Sequence, residues 1–234
     1  MDHKRFSLFD AITWAMRSFF DNFRLFGGTF IAAAGVFFAW LLVLLLISRF
    51  TFFWHQVPDM REFLWQFKLS GVLQPRTTEI HFPLITGFGF FIALGAAFMA
   101  SLLALGYTKI CLLFHDKSQE VSLATLFTGW RHIGTFLITG ILLGLMFVVG
   151  FSLLILPGIY LMLRFSFFKY LIVDRDAGIL ESLRTSYAMT AGSEWEMLGL
   201  LLISFLVLKF LLLWPIVELM YVYVYRRLLP VVSV

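Results

Sequence analysis

The sequence predicts an all-α protein, a polytopic helical membrane bundle of five or six spans with amphipathic helices at the membrane interface. Of its 234 residues, 61% are hydrophobic and only 14% are charged, whereas roughly 25% of the residues in a soluble domain are charged. The uncharged runs 27–48, 82–108 and 133–163 each exceed the roughly 18 residues that are needed to cross a membrane. These observations exclude a water-soluble domain and predict one integral membrane domain over residues 1–234.

The first segment, 6–26, predicts an amphipathic helix that lies flat in the membrane interface. Its apolar residues return at helical spacing on one side, while Arg17 and Arg24 lie on the other. We expect Gly27-Gly28 to form the elbow between this helix and the first span. The apolar side comprises Phe9, Ile12, Met16, Phe19, Phe20, Phe23 and Phe26.

Two further interfacial helices and the other spans follow along the chain. Proline removes a helical hydrogen bond and glycine permits a turn, so Pro157-Gly158 predicts two short antiparallel spans in place of one long helix. The last apolar stretch is too short for two comfortable spans and too long for one untilted span, which leaves five or six crossings open. The interfacial helices are expected at 122–132 and 177–191, and the spans at 27–48, 82–108, 133–156, 159–173 and 197–225.

Lysine and arginine are distributed unevenly between the loops, which predicts a cytoplasmic N-terminus. In that orientation nine of them lie on the inner side and four in the 49–81 loop, as the positive-inside rule favours. The net charge of +4 is scattered beside the spans, so it indicates membrane lipids with anionic headgroups as partners, and no nucleic acid. The inner set is Lys4, Arg5, Arg17, Arg24, Lys109, Lys117, Arg131, Arg175 and Arg184, and the outer loop contains Arg49, Arg61, Lys68 and Arg76.

Several short motifs between about residues 102 and 228 resemble those of a broad bacterial family of uncharacterised polytopic membrane proteins. The same segment is similar to the membrane domain fused to some glycerophosphodiester phosphodiesterases. This resemblance implies a helical bundle in the bacterial inner membrane, and it implies no activity. The motifs are Leu156-Pro157-Gly158-Ile159-Tyr160, Arg164-Phe165-Ser166-Phe167, Glu181-Ser182-Leu183-Arg184-Thr185-Ser186 with Thr190 and Gly192, and Pro215 with Tyr225-Arg226-Arg227-Leu228.

Four charged residues inside predicted spans, Arg164, Lys169, Lys209 and Glu218, form a candidate intramembrane polar cluster. A charge within a span costs roughly 2.5–3.5 kcal/mol on insertion scales, so each needs a partner or a route to the interface. One interpretation is that Arg164 and Lys169 extend to the headgroups. The other is that Arg164 faces the bundle interior and pairs with Glu218. Lys209 and Glu218 are nine residues apart, which places them on nearly opposite sides of a regular helix.

No recognisable catalytic, cofactor-binding or metal-binding motif occurs in the sequence. Its histidines lack the spacing of zinc ligands, and the single cysteine, Cys111, lies in an apolar run as expected of a small core residue. Asp174-Arg175-Asp176 is interpreted as a helix cap, with a cation site as the alternative. We therefore expect no enzyme, no cofactor and no metal.

Three functions fit the sequence. The first is a non-enzymatic envelope or lipid-associated accessory protein or scaffold, because interfacial helices are present without a catalytic motif. The second is a small-solute or lipid transporter, which the intramembrane charges and helix breaks suggest. The third is an intramembrane enzyme acting on lipid, for which Asp174, Asp176 and Glu218 supply the only candidate acid or base groups.

Overall fold

The computed structural model describes residues 6–56, 82–116, 122–208 and 213–229, and in these ranges the regular structure is helical throughout. The chain divides into two units, one formed by residues 34–100 and the other by the remainder. The elements are α1 Leu8–Asp21, α2 Phe23–Gln56, α3 Phe82–His115, a 3₁₀ helix Leu123–His132, α4 Ile133–Leu153, α5 Ile155–Arg164, α6 Phe168–Arg175, α7 Ile179–Met189, α8 Glu194–Leu208 and α9 Trp214–Leu228.

The 34–100 unit contains the second half of α2 and the first half of α3. The indole Nε1 of Trp40 on α2 donates a hydrogen bond of 3.3 Å to the backbone oxygen of Gly95 on α3. A Cβ built on Gly95 would lie 3.3 Å from the Leu44 side chain, so the two helices pack closely here. An indole N–H in an apolar environment needs such an acceptor, and a small residue on the facing helix gives access to one.

The elbow after α1 lies at Asn22, and not at Gly27-Gly28 as the sequence predicted. Asn22 leaves the helical backbone conformation (φ −120°, ψ 34°), and its side-chain amide donates to the oxygen of Ser18. Both glycines lie inside α2. Asparagine can replace a backbone hydrogen bond with its own side chain, which is why it suits this position. The predicted interfacial helix 6–26 is therefore α1 plus the first turn of α2.

Helix α1 packs on α9, and its small residues are buried. Ala11 and Ala15 are fully buried and Phe19 is nearly so. Phe9 and Phe20, by contrast, are 77% and 61% exposed. The predicted apolar side of 6–26 is thus divided: part of it belongs to the protein core, and the rest forms an aromatic outer face.

The break that the sequence placed at Pro157-Gly158 lies three residues earlier, at Leu154. That residue is extended (φ −166°, ψ 156°) and separates α4 from α5. Pro157 lies in the first turn of α5, where a backbone N–H would have no intrahelical partner. Gly158 is needed for close packing, because a Cβ there would lie 2.5 Å from the Phe151 ring. The predicted span 159–173 lies within one candidate membrane span, Ile155–Arg175, which a turn at 165–167 divides into α5 and α6.

The third predicted interfacial segment, 177–191, contains α7, whose buried residues include Leu183 and Met189. Ser182 and Ser186 are fully buried, whereas Leu180 is 76% exposed. Helix α7 meets α8 at an angle of 107°. The predicted final span 197–225 is two helices, α8 and α9, in the part of the chain that the structure describes.

Four of the described helices or helical segments are long and apolar enough to cross a membrane, and the bent pair of α7 and α8 would make a fifth. The segments are Phe23–Ile47, Ile92–His115, Ala124–Ser152 and Ile155–Arg175. Four or five crossings are compatible with these lengths. The sixth crossing left open by the sequence gains no support from α9, which has 15 residues.

Helix α3 and the 3₁₀ helix approach each other closely in the larger unit. A Cβ built on Gly106 would lie 1.9 Å from the backbone oxygen of Leu126, and one on Gly129 would lie 2.9 Å from the oxygen of Leu102. Only glycine fits at such a crossing, because backbone atoms leave no space for a side chain. The two glycines therefore fix the 3₁₀ helix against the end of α3.

This crossing predicts that Gly106→Ala destabilises the protein strongly. Backbone must move to admit the methyl group, and overpacking of this kind costs about 1–3 kcal/mol. The matched control is Gly140→Ala in α4, where no atom lies within 4 Å of the added Cβ. We expect Gly106→Ala to lower the thermal midpoint of the detergent-solubilised protein while Gly140→Ala leaves it nearly unchanged. Equal midpoints for the two variants would contradict the crossing.

Candidate functional site

A cluster of charges joins the ends of three helices. Arg226, in the last turn of α9, donates from Nη1 to Asp174 Oδ2 at 2.6 Å and from Nη2 to Asp174 Oδ1 at 2.7 Å. Its Nη2 also contacts Oδ2 of Asp116, which follows α3. The Tyr225 hydroxyl donates to Asp174 Oδ2 at 2.8 Å. We call Arg226, Asp174, Asp116 and Tyr225 the Arg226 cluster.

The guanidinium of this cluster is firmly held in its charged form. Partial burial works against the charge, but the hydrogen bonds and negative charge of Asp174, followed by the charge of Asp116, outweigh it and raise the pKa of Arg226. The contact with Asp174 is bidentate, the strongest geometry for a guanidinium and a carboxylate. The cluster is thus a fixed structural joint between α3, α6 and α9.

A cleft of about 600 Å³ lies beside the Arg226 cluster. This volume falls in the range of small-molecule sites. Four elements contribute to its lining: the last turns of α3 and α9, the 3₁₀ helix, and the end of α6 with the residues after it. The charged and aromatic lining residues are Lys109, Asp116, Phe127, Trp130, Arg131, His132, Asp174, Asp176 and Arg226.

Asp176 is held at the edge of this cleft by an unusual backbone conformation. It caps the C-terminus of α6 with φ 53°, in the left-handed region, where Asp and Asn are tolerated better than most residues. Its Oδ1 lies 3.3 Å from Nδ1 of His132, and its side chain remains exposed. The predicted cap at Asp174-Arg175-Asp176 therefore applies to Asp176, but at the end of a helix and not at the entrance of one.

A second polar cluster lies inside the bundle. Lys169 Nζ contacts Glu218 Oε1, and the Tyr170 hydroxyl donates to Glu218 Oε2 at 2.8 Å. Glu218 is only 4% exposed. Both of its oxygens thus have a donor, which is the condition under which a carboxylate can be buried.

Arg164 forms a third cluster at the end of α5. Its Nη2 lies 2.9 Å from Glu194 Oε1, and its Nε donates to the Tyr160 hydroxyl at 2.9 Å. The guanidinium carbon also lies 4.6 Å from the ring centre of Tyr187, a cation–π distance. Arg164 is 8% exposed, and its Nη1 has no hydrogen-bond partner among the described residues.

These contacts revise the predicted intramembrane cluster. The pairing of Arg164 with Glu218 is wrong, because Glu218 pairs with Lys169 and Arg164 pairs with Glu194. In the alternative interpretation, both cations extend to lipid headgroups. In the structure, each of them contacts a carboxylate of the protein instead. Lys209 lies outside the described residues.

Sequence reasoning missed the Arg226 cluster. Arg226 was noted for its charge and its motif, and Asp174 only as part of a cap or cation site. Within the described ranges, no three His, Cys, Asp or Glu side chains are grouped so that they could hold a metal ion. The signal that could have located the cluster is Arg226 in the last helical turn of an apolar segment, where a cation needs a carboxylate partner.

Comparison with known proteins identifies a family without assigning an activity. Residues 83–233 match a family described as a domain of unknown function, DUF7847. No curated protein and no solved structure matches the chain. The matched range contains every residue that lines the cleft. The resemblance to membrane domains fused to phosphodiesterases stays a prediction, since this match does not test it.

The Arg226 cluster predicts strong coupling between Arg226 and Asp174. Removing one partner of a buried ion pair lowers the free energy of unfolding by about 3–5 kcal/mol. Because both side chains here are partly exposed, we expect Arg226→Gln or Asp174→Asn to lower it by about 2 kcal/mol. The double variant should lose at least about 1 kcal/mol less than the sum of the single variants. Unfolding free energies in mixed detergent micelles measure this cycle.

Arg227→Gln is the matched control, because Arg227 is the exposed neighbour of Arg226. It should change the unfolding free energy by less than about 0.5 kcal/mol. Additive single variants, or an Arg226→Gln as mild as Arg227→Gln, would show that the cluster does not join the helices.

Proposed function

We propose that this chain, which belongs to the DUF7847 family, is an integral protein of the bacterial inner membrane that associates with lipid as an accessory or scaffold protein and is not an enzyme. The observation that carries the proposal is the contrast between its outer and inner side chains. Large apolar residues lie on the outside of the described helices, and the charged clusters lie among the helices or at their ends. Such a distribution suits a protein that is solvated by lipid.

Helix α4 illustrates the apolar exterior. Its outward residues include Ile138, Ile141, Leu145 and Val148, all of them exposed by more than half of their surface. Soluble monomers rarely expose contiguous apolar patches larger than a few hundred Å². Exposure of apolar surface to water is unfavourable, and contact with lipid avoids it. The exposed apolar residues therefore support placement of α4 in a membrane.

Helix α1 supports contact with lipid at the interface. Helix α1 packs against α9 and buries Ala11 and Ala15, while Phe9 and Phe20 are exposed. A burial of each phenylalanine in the membrane would contribute about 1.5–3 kcal/mol. Arg17 is also exposed on this helix and favours contact with phosphate groups.

The orientation that we propose places the N-terminus and the cleft on the cytoplasmic side. The Lys and Arg distribution supports it, with nine residues on the inner side against four in the 49–81 loop. Trp130, which is 66% exposed at the cleft, is a residue type that concentrates at membrane interfaces. Anionic headgroups of the inner leaflet would then meet the loop cations.

Transport is the alternative that a specific observation favours. Thr108 Oγ1 is buried without a hydrogen-bond partner among the described residues, as a polar group along a pathway would be. Against this, Lys169 and Glu218 are in direct contact, and neither Arg164 nor Glu218 lines the cleft. The enzyme hypothesis has less support, because Glu218 and Asp174 are each engaged by two protein donors.

The proposed orientation predicts which loops react with a membrane-impermeant thiol reagent on intact cells. Single cysteines placed between residues 57 and 81, in a Cys111→Ala background, should be labelled. Cysteines placed at 118–132 should react only after the cells are permeabilised. Protection of the first set together with labelling of the second would reverse the orientation.

The outer face of α1 predicts a contrast between neighbouring positions of a spin label in the Cys111→Ala protein. In lipid vesicles, a label at Phe20→Cys should be more accessible to oxygen than to a water-soluble nickel complex, because it lies in the acyl region. A label at Arg17→Cys should show the opposite order. Ala15→Cys is the buried control, which should be poorly accessible to both reagents. Water-like accessibility at position 20 would contradict lipid contact and the proposed function.

A further inference from the structure

The cleft contains equal numbers of positive and negative side chains. Its cations are Lys109, Arg131 and Arg226, and its carboxylates are Asp116, Asp174 and Asp176. With His132 neutral, the formal charge of the lining is zero. The lining as a whole therefore gives no net electrostatic attraction to a ligand of large net charge. A ligand that carries both a positive and a negative group can contact side chains of opposite charge at each of them.

The internal contacts leave two cations available. Arg226 is used by Asp174 and Asp116. Lys109 and Arg131 form no ion pair with any residue in the described ranges. Lysine and arginine together suit a phosphodiester, since the guanidinium binds two oxygens and the ammonium adds a point charge.

The carboxylates supply the complementary half of the site. Asp176 is exposed, and its one ionic contact in the described structure is with His132. Asp116 also keeps nearly half of its side chain exposed. An ammonium group with N–H donors would satisfy both charge and hydrogen bonding at these oxygens.

Two exposed aromatic residues, Phe127 and Trp130, line the cleft. Tryptophan is enriched where the headgroups of a bilayer meet its acyl chains. A lipid would present a phosphate and an ammonium to the polar lining while its chains stay beside these rings.

We propose that this cleft binds a zwitterionic phospholipid headgroup, with the phosphodiester on Lys109 and Arg131 and a primary ammonium on Asp176. The proposal rests on the proposed lipid association and names the ligand class of that association. The proposed zwitterionic headgroup differs from the anionic headgroups that the net charge of the chain predicts. A soluble glycerophosphodiester with an ammonium group has the same chemistry, so the test includes it.

The test is a lipid titration of the purified full chain in detergent micelles, followed by native mass spectrometry. The probes are phosphatidylethanolamine, phosphatidylcholine and phosphatidylglycerol. We expect phosphatidylethanolamine to be retained best, because phosphatidylcholine lacks N–H donors and phosphatidylglycerol lacks an ammonium. The double variant Lys109→Gln with Arg131→Gln should lower the affinity for all three lipids about equally.

Asp176→Asn separates the two halves of the site. Asparagine tolerates the left-handed backbone at this position, so the helix end should remain intact. We expect Asp176→Asn to lower the affinity for phosphatidylethanolamine roughly threefold, as for the loss of a partly exposed ion pair. The affinity for phosphatidylglycerol should stay unchanged or increase. Arg184→Gln, at an exposed position of α7 outside the cleft, is the control and should change nothing.

Three results would overturn the proposal. Preferential retention of phosphatidylglycerol that is lost in the Lys109/Arg131 double variant would make the cleft an anionic-lipid site. Equal retention of all lipids by wild type and variants would mean that the cleft binds none of them. Displacement of the lipid by an equal concentration of glycerophosphoethanolamine would assign the cleft to a soluble ligand. The spin-label contrast on α1 is independent of all three, so failure here is distinguishable from failure of the proposed function.

Discussion

The arrangement of helices in the larger unit depends on one requirement: the carboxylates that lie where three helices end must be neutralised. Asp174 lies in the last turn of α6 and Asp116 directly follows α3, positions where the negative end of the helix dipole disfavours an acid. Arg226 lies in the last turn of α9 and contacts both. One guanidinium therefore contacts two carboxylates at the ends of three helices and offsets part of their negative charge. The elements around the cleft are positioned relative to each other by this contact and by the Gly106 crossing.

The same constraint is met inside the bundle by a recurring arrangement of a cation, a carboxylate and a tyrosine. Lys169 and its neighbour Tyr170 both bind Glu218, and Arg226 and its neighbour Tyr225 both bind Asp174. Adjacent residues on a helix point about 100° apart, so the shared carboxylate must lie between them. The hydroxyl satisfies an oxygen without adding a charge, which makes the burial of a single ion pair less costly.

Hydropathy predicted the long helices because their apolar character holds on every face and needs no tertiary information. The runs 27–48 and 82–108 lie within α2 and α3 for this reason. The breaks were less predictable. The turn at 165–167 separates Arg164 from Lys169, and the two cations then bind different acids, Glu194 and Glu218. A sequence interpretation that kept them on one helix could not assign these partners.

Helices α1 and α7 show the limit of what an amphipathic pattern predicts. The spacing placed Phe19 and Phe20 on one apolar side of α1, and it could not separate contacts with protein from contacts with lipid. The structure buries Ala15 and Phe19 of α1 and Ser186 of α7, and it leaves Phe20 and Leu180 exposed. Between helices solvated by lipid, apolar area gives no preference for the protein interior, and small residues are selected because they allow close approach. The inward faces of α1 and α7 therefore contain alanines and serines beside a few large apolar residues, a combination that hydrophobic spacing alone does not identify.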